Sequence, residues 1–547
     1  MAEDKSEDED GLPALCTAAD KGDCKAIREL IDQGADVDTA YKYGSTPLHY
    51  AAWNNHAAAL ELLLDRGATI GAQTALGDTA LHDAASNGAC RAIRKLIERG
   101  AAVDATDKGG HSPLHLAALS NHAAALELLL DRGATIGAQT ALGHTALHDA
   151  AAKGACDIIR KLIERGAAVD ATDKDGCSPL HYAATNNRAA AVGLLLNRGA
   201  MIGAQDEDGH TALHEAAAKG AGDAIRKLIE RGAVVDARNN AGRTPLRMAV
   251  WNNQATAVVL LLEAVTQLDA GDANGRAALH DAAANGNREI IAKLVVKGAG
   301  LNVVDGCGRT PLHTAISNDR DDAVQALLDA GASVASQDED GKTALHLAVA
   351  NGCCILRWLI SSGSAVDATD KQGRSPLHAA AETGRGAEAI VLVEKGADPT
   401  TKDHAGTTPA DAAQRAGHKA LAAQLRALAA GQARAAEAER RIQEAESAAK
   451  KARADQSKAE EEAKKAQEEA ARAEEEMSKA QEELKKMREE AAKELQKERD
   501  ETAKHKRKAE ELEAKAAAKA VEAAKKPKVE RSSCNQVKFE GGGSRSG

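Results

Sequence analysis

An all-α repeat solenoid followed by a long helical arm is the fold class this sequence predicts, on three observations. A short motif returns at a fixed interval: Thr46-Pro-Leu-His49 recurs as Thr79-Ala-Leu-His82, Ser112-Pro-Leu-His115, Thr145-Ala-Leu-His148, Ser178-Pro-Leu-His181 and Thr211-Ala-Leu-His214, each step being 33 residues. Between the motifs, apolar residues keep the i, i+3, i+4 spacing of one helical face, as in Leu60, Leu63 and Leu64 or Ile93, Leu96 and Ile97. From Gly431 the composition turns to Ala, Glu, Lys and Arg, with an apolar residue every three or four positions. Bulk composition agrees with this division. Aromatic residues are only 1% of the 547 while 43% are hydrophobic, so Ala, Leu, Ile and Val must build the interior, which suits short, closely packed helices.

Residues 1–10 carry six acids against Lys5 and are expected to be disordered. The array occupies residues 11–430. Its first copy is degenerate, around Pro13 to Cys16, and the series runs on through Thr244, Ala277, Thr310 and Thr343, reaches Ser375 after 32 residues and then Thr408, which makes about 13 helix-turn-helix units. In each unit Thr or Ser can cap the first helix, and Pro next to it gives up only an N–H that has no intrahelical partner. Leu48 starts the buried face. Gly67 or Gly100 ends the second helix, because a left-handed terminal residue is least strained without a Cβ. Segments such as Asp104 to Gly110 form the projecting turn between units. Between Asn351 and Gly363 one residue is missing relative to Asn87 to Gly100, so a local irregularity is expected there. A second period lies over the first: residues 56–77 reappear unchanged at 122–143, a block of 66 residues or two units.

A 33-residue period carrying T-P-L-H-x-A resembles the ankyrin-repeat family, over roughly residues 11–429. The resemblance implies an elongated, curved stack whose units are stable only through their neighbours. It implies that the motif histidines, His49, His82, His115, His148, His181, His214, His280, His313, His346 and His378, bond between neighbouring turns instead of binding metal or moving protons. It also implies that the first helices line a concave groove where protein partners bind. Asn302 occupies the turn slot held elsewhere by Asp38, Asp104, Asp170 and Asp236, and in some ankyrin proteins an Asn at that slot is hydroxylated.

In the arm, residues 431–526, positions 435 to 491 taken alternately three and four apart are all apolar except Gln456, and most are alanine, with Ile442, Met477, Leu484 and Met487 as the larger knobs. A four-residue shift comes before Leu495, as a stutter would produce. Extended, the arm would reach about 140 Å at roughly 1.5 Å per residue. Its expected role is weak self-association or docking, with a lone charged helix as the alternative. Gly431 is either a hinge or absorbed in the helix. Residues 527–547 are expected to be disordered, and Lys525 to Lys528 fits a short basic nuclear-import signal.

The repeats carry most of the net charge of −11, which argues against nucleic acid as the main ligand. The acidic N-terminus is unlike an export signal, and no run is apolar enough to span a bilayer, so a soluble protein of the cytoplasm or nucleus is expected. Nine cysteines, with Cys24, Cys90 and Cys156 as copies of one position, are expected to be reduced thiols. None of the H-E-x-x-H, G-x-x-x-x-G-K-[ST], G-x-S-x-G or paired C-x-x-C patterns is present, so no catalytic residue, no metal site and no cofactor is expected.

What remains is a surface. The residue after the motif histidine runs Tyr50, Asp83, Leu116, Asp149, Tyr182, Glu215, Met248, Asp281, apolar and acidic in alternation, and three positions on the apolar units carry Trp53, Leu119, Thr185 and Trp251. Tyr41 and Tyr43 adjoin it. Tyr50, Trp53, Asp83, Leu116, Leu119, Asp149, Tyr182, Glu215, Met248, Trp251 and Asp281 are therefore the candidate protein-binding residues. The expected function is a non-enzymatic adaptor whose groove holds a basic and apolar protein segment, with a structural tether or spacer as the alternative.

Overall fold

The computed structural model describes residues 12–352, 355–454 and 468–490. The chain divides into two compact units, Met1–Pro376 and Leu377–Gly547.

In the first unit the helices come in pairs. Pro47–Trp53 with Ala57–Asp65 is followed by Ala80–Ser86 with Cys90–Glu98, then Pro113–Leu119 with Ala123–Asp131, and the pattern continues to Ala344–Asn351 with Leu356–Ser361. First helices pack on the first helices of neighbouring pairs, and second helices on second helices.

The motif explains the local geometry. Pro47 sits at the first position of its helix, and Thr46 caps it together with His49. The Thr46 backbone N–H donates to His49 Nδ1 at 3.1 Å, the Thr46 hydroxyl meets the same nitrogen at 2.9 Å, and Nε2 is left to donate to the carbonyl of Asp78 in the next unit at 3.1 Å. His82 repeats this with His111, His115 with His144, His148 with Cys177, His181 with His210 and His214 with Arg243. Each such histidine thus joins a helix start to the following turn. Burial lowers the pKa of His49, His82, His115, His148 and His214, the last two to about 4, which keeps the rings neutral in this role.

The turns also stack directly. Lys108 N–H donates to Leu76 O, Ala141 to Gly109 O and Lys174 to Leu142 O, at 2.8 to 3.0 Å. Asp38 receives the Thr69 N–H and hydroxyl, Asp104 does the same for Thr135, and Asn302 Oδ1 accepts from Ser333 N at 2.8 Å. Asn302 therefore performs the capping that Asp performs in its sister turns.

Leu48, Ala51, Ala52, Ala59, Leu60 and Leu63 are buried, and their counterparts repeat along the unit. Leu64 and Ile97, expected in the buried stripe, are only half-buried, and Ala59 and Ala92 take the inner positions. Small residues there let successive helices approach closely. At the one-residue deletion the second helix shortens to six residues, Leu356–Ser361, where Cys90–Glu98 has nine. Cys353 and Cys354 lie outside the described residues.

In the second unit, Gly386–Glu394, Pro409–Arg415 and Lys419–Ala454 follow the helix that begins at Pro376. Lys419–Ala454 starts as the second helix of the last pair, burying Leu421, Leu425 and Leu428, and continues as the arm. The expectation of an arm extended over about 140 Å needs correction. Residues 468–490 form a helix that runs back along it: Arg434 pairs with Glu483 at 3.2 Å, and Arg441 with Glu476, so the partners step in opposite directions. Ala438, Ala445 and Ala473 are buried in that seam. Gly431 is absorbed in the helix, and a Cβ on it would lie 2.5 Å from Leu484 Cδ1 and 3.1 Å from Met487 Cε. The heptad positions 456–466, everything after residue 490, including Lys525 to Lys528, and the acidic segment 1–10 fall outside the described residues. No helix among the described residues is long and apolar enough to cross a membrane.

Candidate protein-binding face

The histidine caps set where each first helix starts, and so they also set the direction of the side chain next to the histidine. Tyr50, Asp83, Leu116, Asp149, Tyr182, Glu215 and Met248 occupy one register on successive first helices, and Trp53, Leu119 and Trp251 lie one turn later. Trp53 and Trp251 are 44% and 45% exposed. Single exposed apolar side chains are ordinary on a protein surface, but these two recur at one register on the same face. The carbonyls of Trp53 and Trp251 each accept from an Asn of the next unit, Asn87 at 2.7 Å and Asn285 at 3.0 Å, so both helix ends are tied down.

The acidic members differ from one another. Asp83 and Asp149 are pushed up to about 7, chiefly by burial, and for Asp149 the opposing pull of His111 and Lys153 is too small to reverse it. Asp149 Oδ2 is buried and has no hydrogen-bond partner. A carboxylate in that position is waiting for a cation or for a proton. Glu215 is held below its ordinary range, first by its bond to His210. Asp281 is the correction. It is 1% exposed and paired with Arg247, the residue that replaces the motif histidine in the preceding unit, at 2.6 Å, while Arg247 also meets Asp272 at 3.0 Å. Its carboxylate is enclosed and ion-paired inside the fold, which withdraws it from the exposed face. Tyr182 is also committed: its hydroxyl donates to Asp173 Oδ2 and meets His144 Nε2, both at 2.7 Å.

A row of side chains missed from the sequence borders the same face. The residue just before the first motif position runs Ser45, Asp78, His111, His144, Cys177, His210, Arg243, Arg276, Arg309, Lys342, Arg374 and Thr407. Arg243 lies 4.9 Å over the Trp251 ring, a cation–π contact. His111 and His210 contact Asp107 and Glu215. The drift from His to Arg was visible in the aligned repeats. Its meaning was not, because only packing shows that the turn residue and the helix residue five positions later share one surface.

The two-unit alternation has a second, structural cause. Asn55, Asn121, Asn187 and Asn253 adopt positive φ where the intervening units have Gly22, Gly88, Gly154 and Gly220. Asn55 Oδ1 accepts from the N–H groups of Arg91 and Ala92, and Asn187 from Asp223 and Ala224, each time at the start of the next unit's second helix. The following large residue covers the previous unit's glycine: a Cβ on Gly22 would lie 2.6 Å from His56, and one on Gly88 the same distance from His122.

Paired helices, stacked turns and ten histidine slots are the marks of one family, and the family described as "Ankyrin repeats (3 copies)" matches residues 2–74, 69–140, 132–206, 192–272, 248–338, 279–370 and 345–430. The chain belongs to the ankyrin-repeat family. Among solved structures, the human ASB11 ankyrin repeat domain is similar to this chain at 30% identity with a TM-score of 0.37, over 40% of this chain and 98% of that domain. Comparison with curated protein sequences gives no match. Ankyrin repeats are in general protein-interaction modules.

Proposed function

We propose that this ankyrin protein is a non-enzymatic adaptor whose first-helix face holds a protein segment carrying bulky apolar and basic residues. The observation that supports this reading most directly is the pair Trp53 and Trp251, half-exposed on fixed helix ends, with the unpartnered carboxylate oxygen of Asp149 between them in the series. Aromatic anchors of this kind are the usual centres of binding energy. A buried carboxylate gains most from a Lys or Arg brought by a partner. The acidic contacts run from Asp83 through Asp149 to Glu215 and stop there, because Asp281 is already paired.

Neighbouring helices packed about 8 to 10 Å apart place like positions two units apart about 16 to 20 Å from each other. An extended peptide covers that distance in about six residues at roughly 3.3 Å each. Its apolar and basic side chains would then alternate about every three residues. The spacer alternative loses support from the returning helix 468–490, since a hairpin gives up length. The test is capture of a partner by the full chain and by a Trp53→Ala, Trp251→Ala variant of unchanged circular dichroism. The double variant is expected to bind on the order of 1,000-fold more weakly if the anchors add, about 2 kcal/mol or 30-fold for each. Unchanged affinity would remove recognition from this face.

A further inference from the structure

We propose that Asp206, His210 and Glu215 form a binding site for a divalent transition-metal ion of the zinc class, a reading that shares Glu215 with the candidate protein-binding face but does not need a partner bound there. Asp206 and His210 belong to one projecting turn and Glu215 to the first turn of the helix Ala212–Lys219. His210 Nδ1 lies 3.3 Å from Glu215 Oε1 and 3.5 Å from Asp206 Oδ2, and one donor atom from each of the three residues falls within 4.8 Å of the others. Four-coordinate zinc with N and O donors at about 2.0 to 2.2 Å needs donor separations of roughly 3.3 to 3.5 Å. Both separations from the histidine already have that value, and the two carboxylates lie within 4.8 Å of each other, so the three donors need only draw together to close on an ion.

The ligands are also held from behind, as metal ligands generally are. Asp206 Oδ1 accepts the N–H groups of Asp208 at 3.0 Å and His210 at 2.7 Å, which turns Oδ2 toward the histidine. The His210 ring packs on the His214 ring, 5.7 Å between centroids, and His214 is itself locked by the motif bonds. The three side chains are 8%, 17% and 22% exposed in the order Asp206, His210, Glu215, sheltered yet open on one side. The Cys177 thiol stands 3.8 Å from the same Asp206 Oδ2. Imidazole with carboxylates and a nearby sulfur is a donor set for zinc and its neighbours; magnesium and calcium take oxygen alone.

The repeats supply their own controls. The register that holds Asp206, His210 and Glu215 holds Asp107, His111 and Leu116 three units earlier, Thr140, His144 and Asp149 two units earlier, and Asp272, Arg276 and Asp281 two units later. The pair Asp107 and His111 shows the same Asp–His contact, at 3.0 Å, without a third ligand. Only the unit at Asp206 combines two carboxylates with the histidine between them.

The experiment titrates Zn²⁺ alone into the chelator-treated full chain and into His210→Ala, Glu215→Leu and His111→Ala variants, reading affinity and stoichiometry by calorimetry, with circular dichroism to confirm folding. Glu215→Leu places in this slot the side chain that Leu116 already places in the equivalent one, so the fold tolerates it. The expected result is a Zn²⁺ equivalent bound by the wild type and by His111→Ala, and weakened at least 10-fold in both His210→Ala and Glu215→Leu. A wild type that binds no Zn²⁺, or variants at His210 and Glu215 that bind it as the wild type does, overturns the site and leaves these residues as an ion-paired turn.

Discussion

Arg247 occupies the slot that His49 and nine further histidines fill, and the exchange changes what its neighbours can do. With its guanidinium buried between Asp272 and Asp281, Arg247→Ala strands two carboxylates out of water. A loss of about 3 to 5 kcal/mol is expected by urea denaturation, and Arg247→His, which restores the motif, should lose less. Asp149 gives a pH-dependent case. Its folded pKa of about 7 lies above the ordinary carboxylate value, so the folded state binds more protons than the unfolded one between about pH 4 and pH 7. The contribution of this group to stability therefore falls as pH rises through that window. Asp149→Asn removes the effect: the variant should exceed the wild type by about 1 to 3 kcal/mol at pH 8 and match it near pH 4, measured by denaturation at both pH values.

At the scale of elements, two faces that looked alike in sequence meet different fates. Each array helix buries one narrow alanine and leucine stripe against its neighbours, whereas the arm buries a thinner alanine seam against its own returning segment. An alanine seam contributes little burial per knob, so the close approach at Gly431 matters to it. Gly431→Ile would push a branched side chain into Leu484 and Met487. The variant is expected to separate the two arm helices while leaving the repeats intact. Cysteine pairs placed at positions 434 and 483 should then cross-link in the parent and fail to do so in the variant. If they cross-link equally in both, the contact at Gly431 is not what holds the hairpin.

For the whole molecule, the alternation of Asn-type and Gly-type units means that the natural module is the pair. Deleting residues 79–144 removes two units and keeps the alternation, since the Asn55 unit is then followed by the Gly154 unit, and Arg188 still covers Gly154. Deleting residues 79–111 removes one unit and sets His122 against Asn55 in place of Gly88. The shorter deletion is therefore expected to melt at least as low as the longer one, although it removes half as many repeats, and a thermal scan of the two decides this. Sequence alone determined the period, the unit count, the capping Thr and Pro and the irregularity after Asn351, because each depends on residues within one unit or on its spacing to the next, while the structural use of the histidines came with the family resemblance. It also placed Tyr50, Trp53, Asp83, Leu116, Asp149, Tyr182, Glu215, Met248 and Trp251 in one register, by periodicity. Tertiary structure alone decided that Asp281 is neutralised by Arg247, that Tyr182 is tied to Asp173 and His144, that His210 stands between two carboxylates, and that the arm turns back on itself. Those facts depend on which side chains from different units meet across space, and a heptad seam reads the same whether its partner is another chain or the returning half of its own.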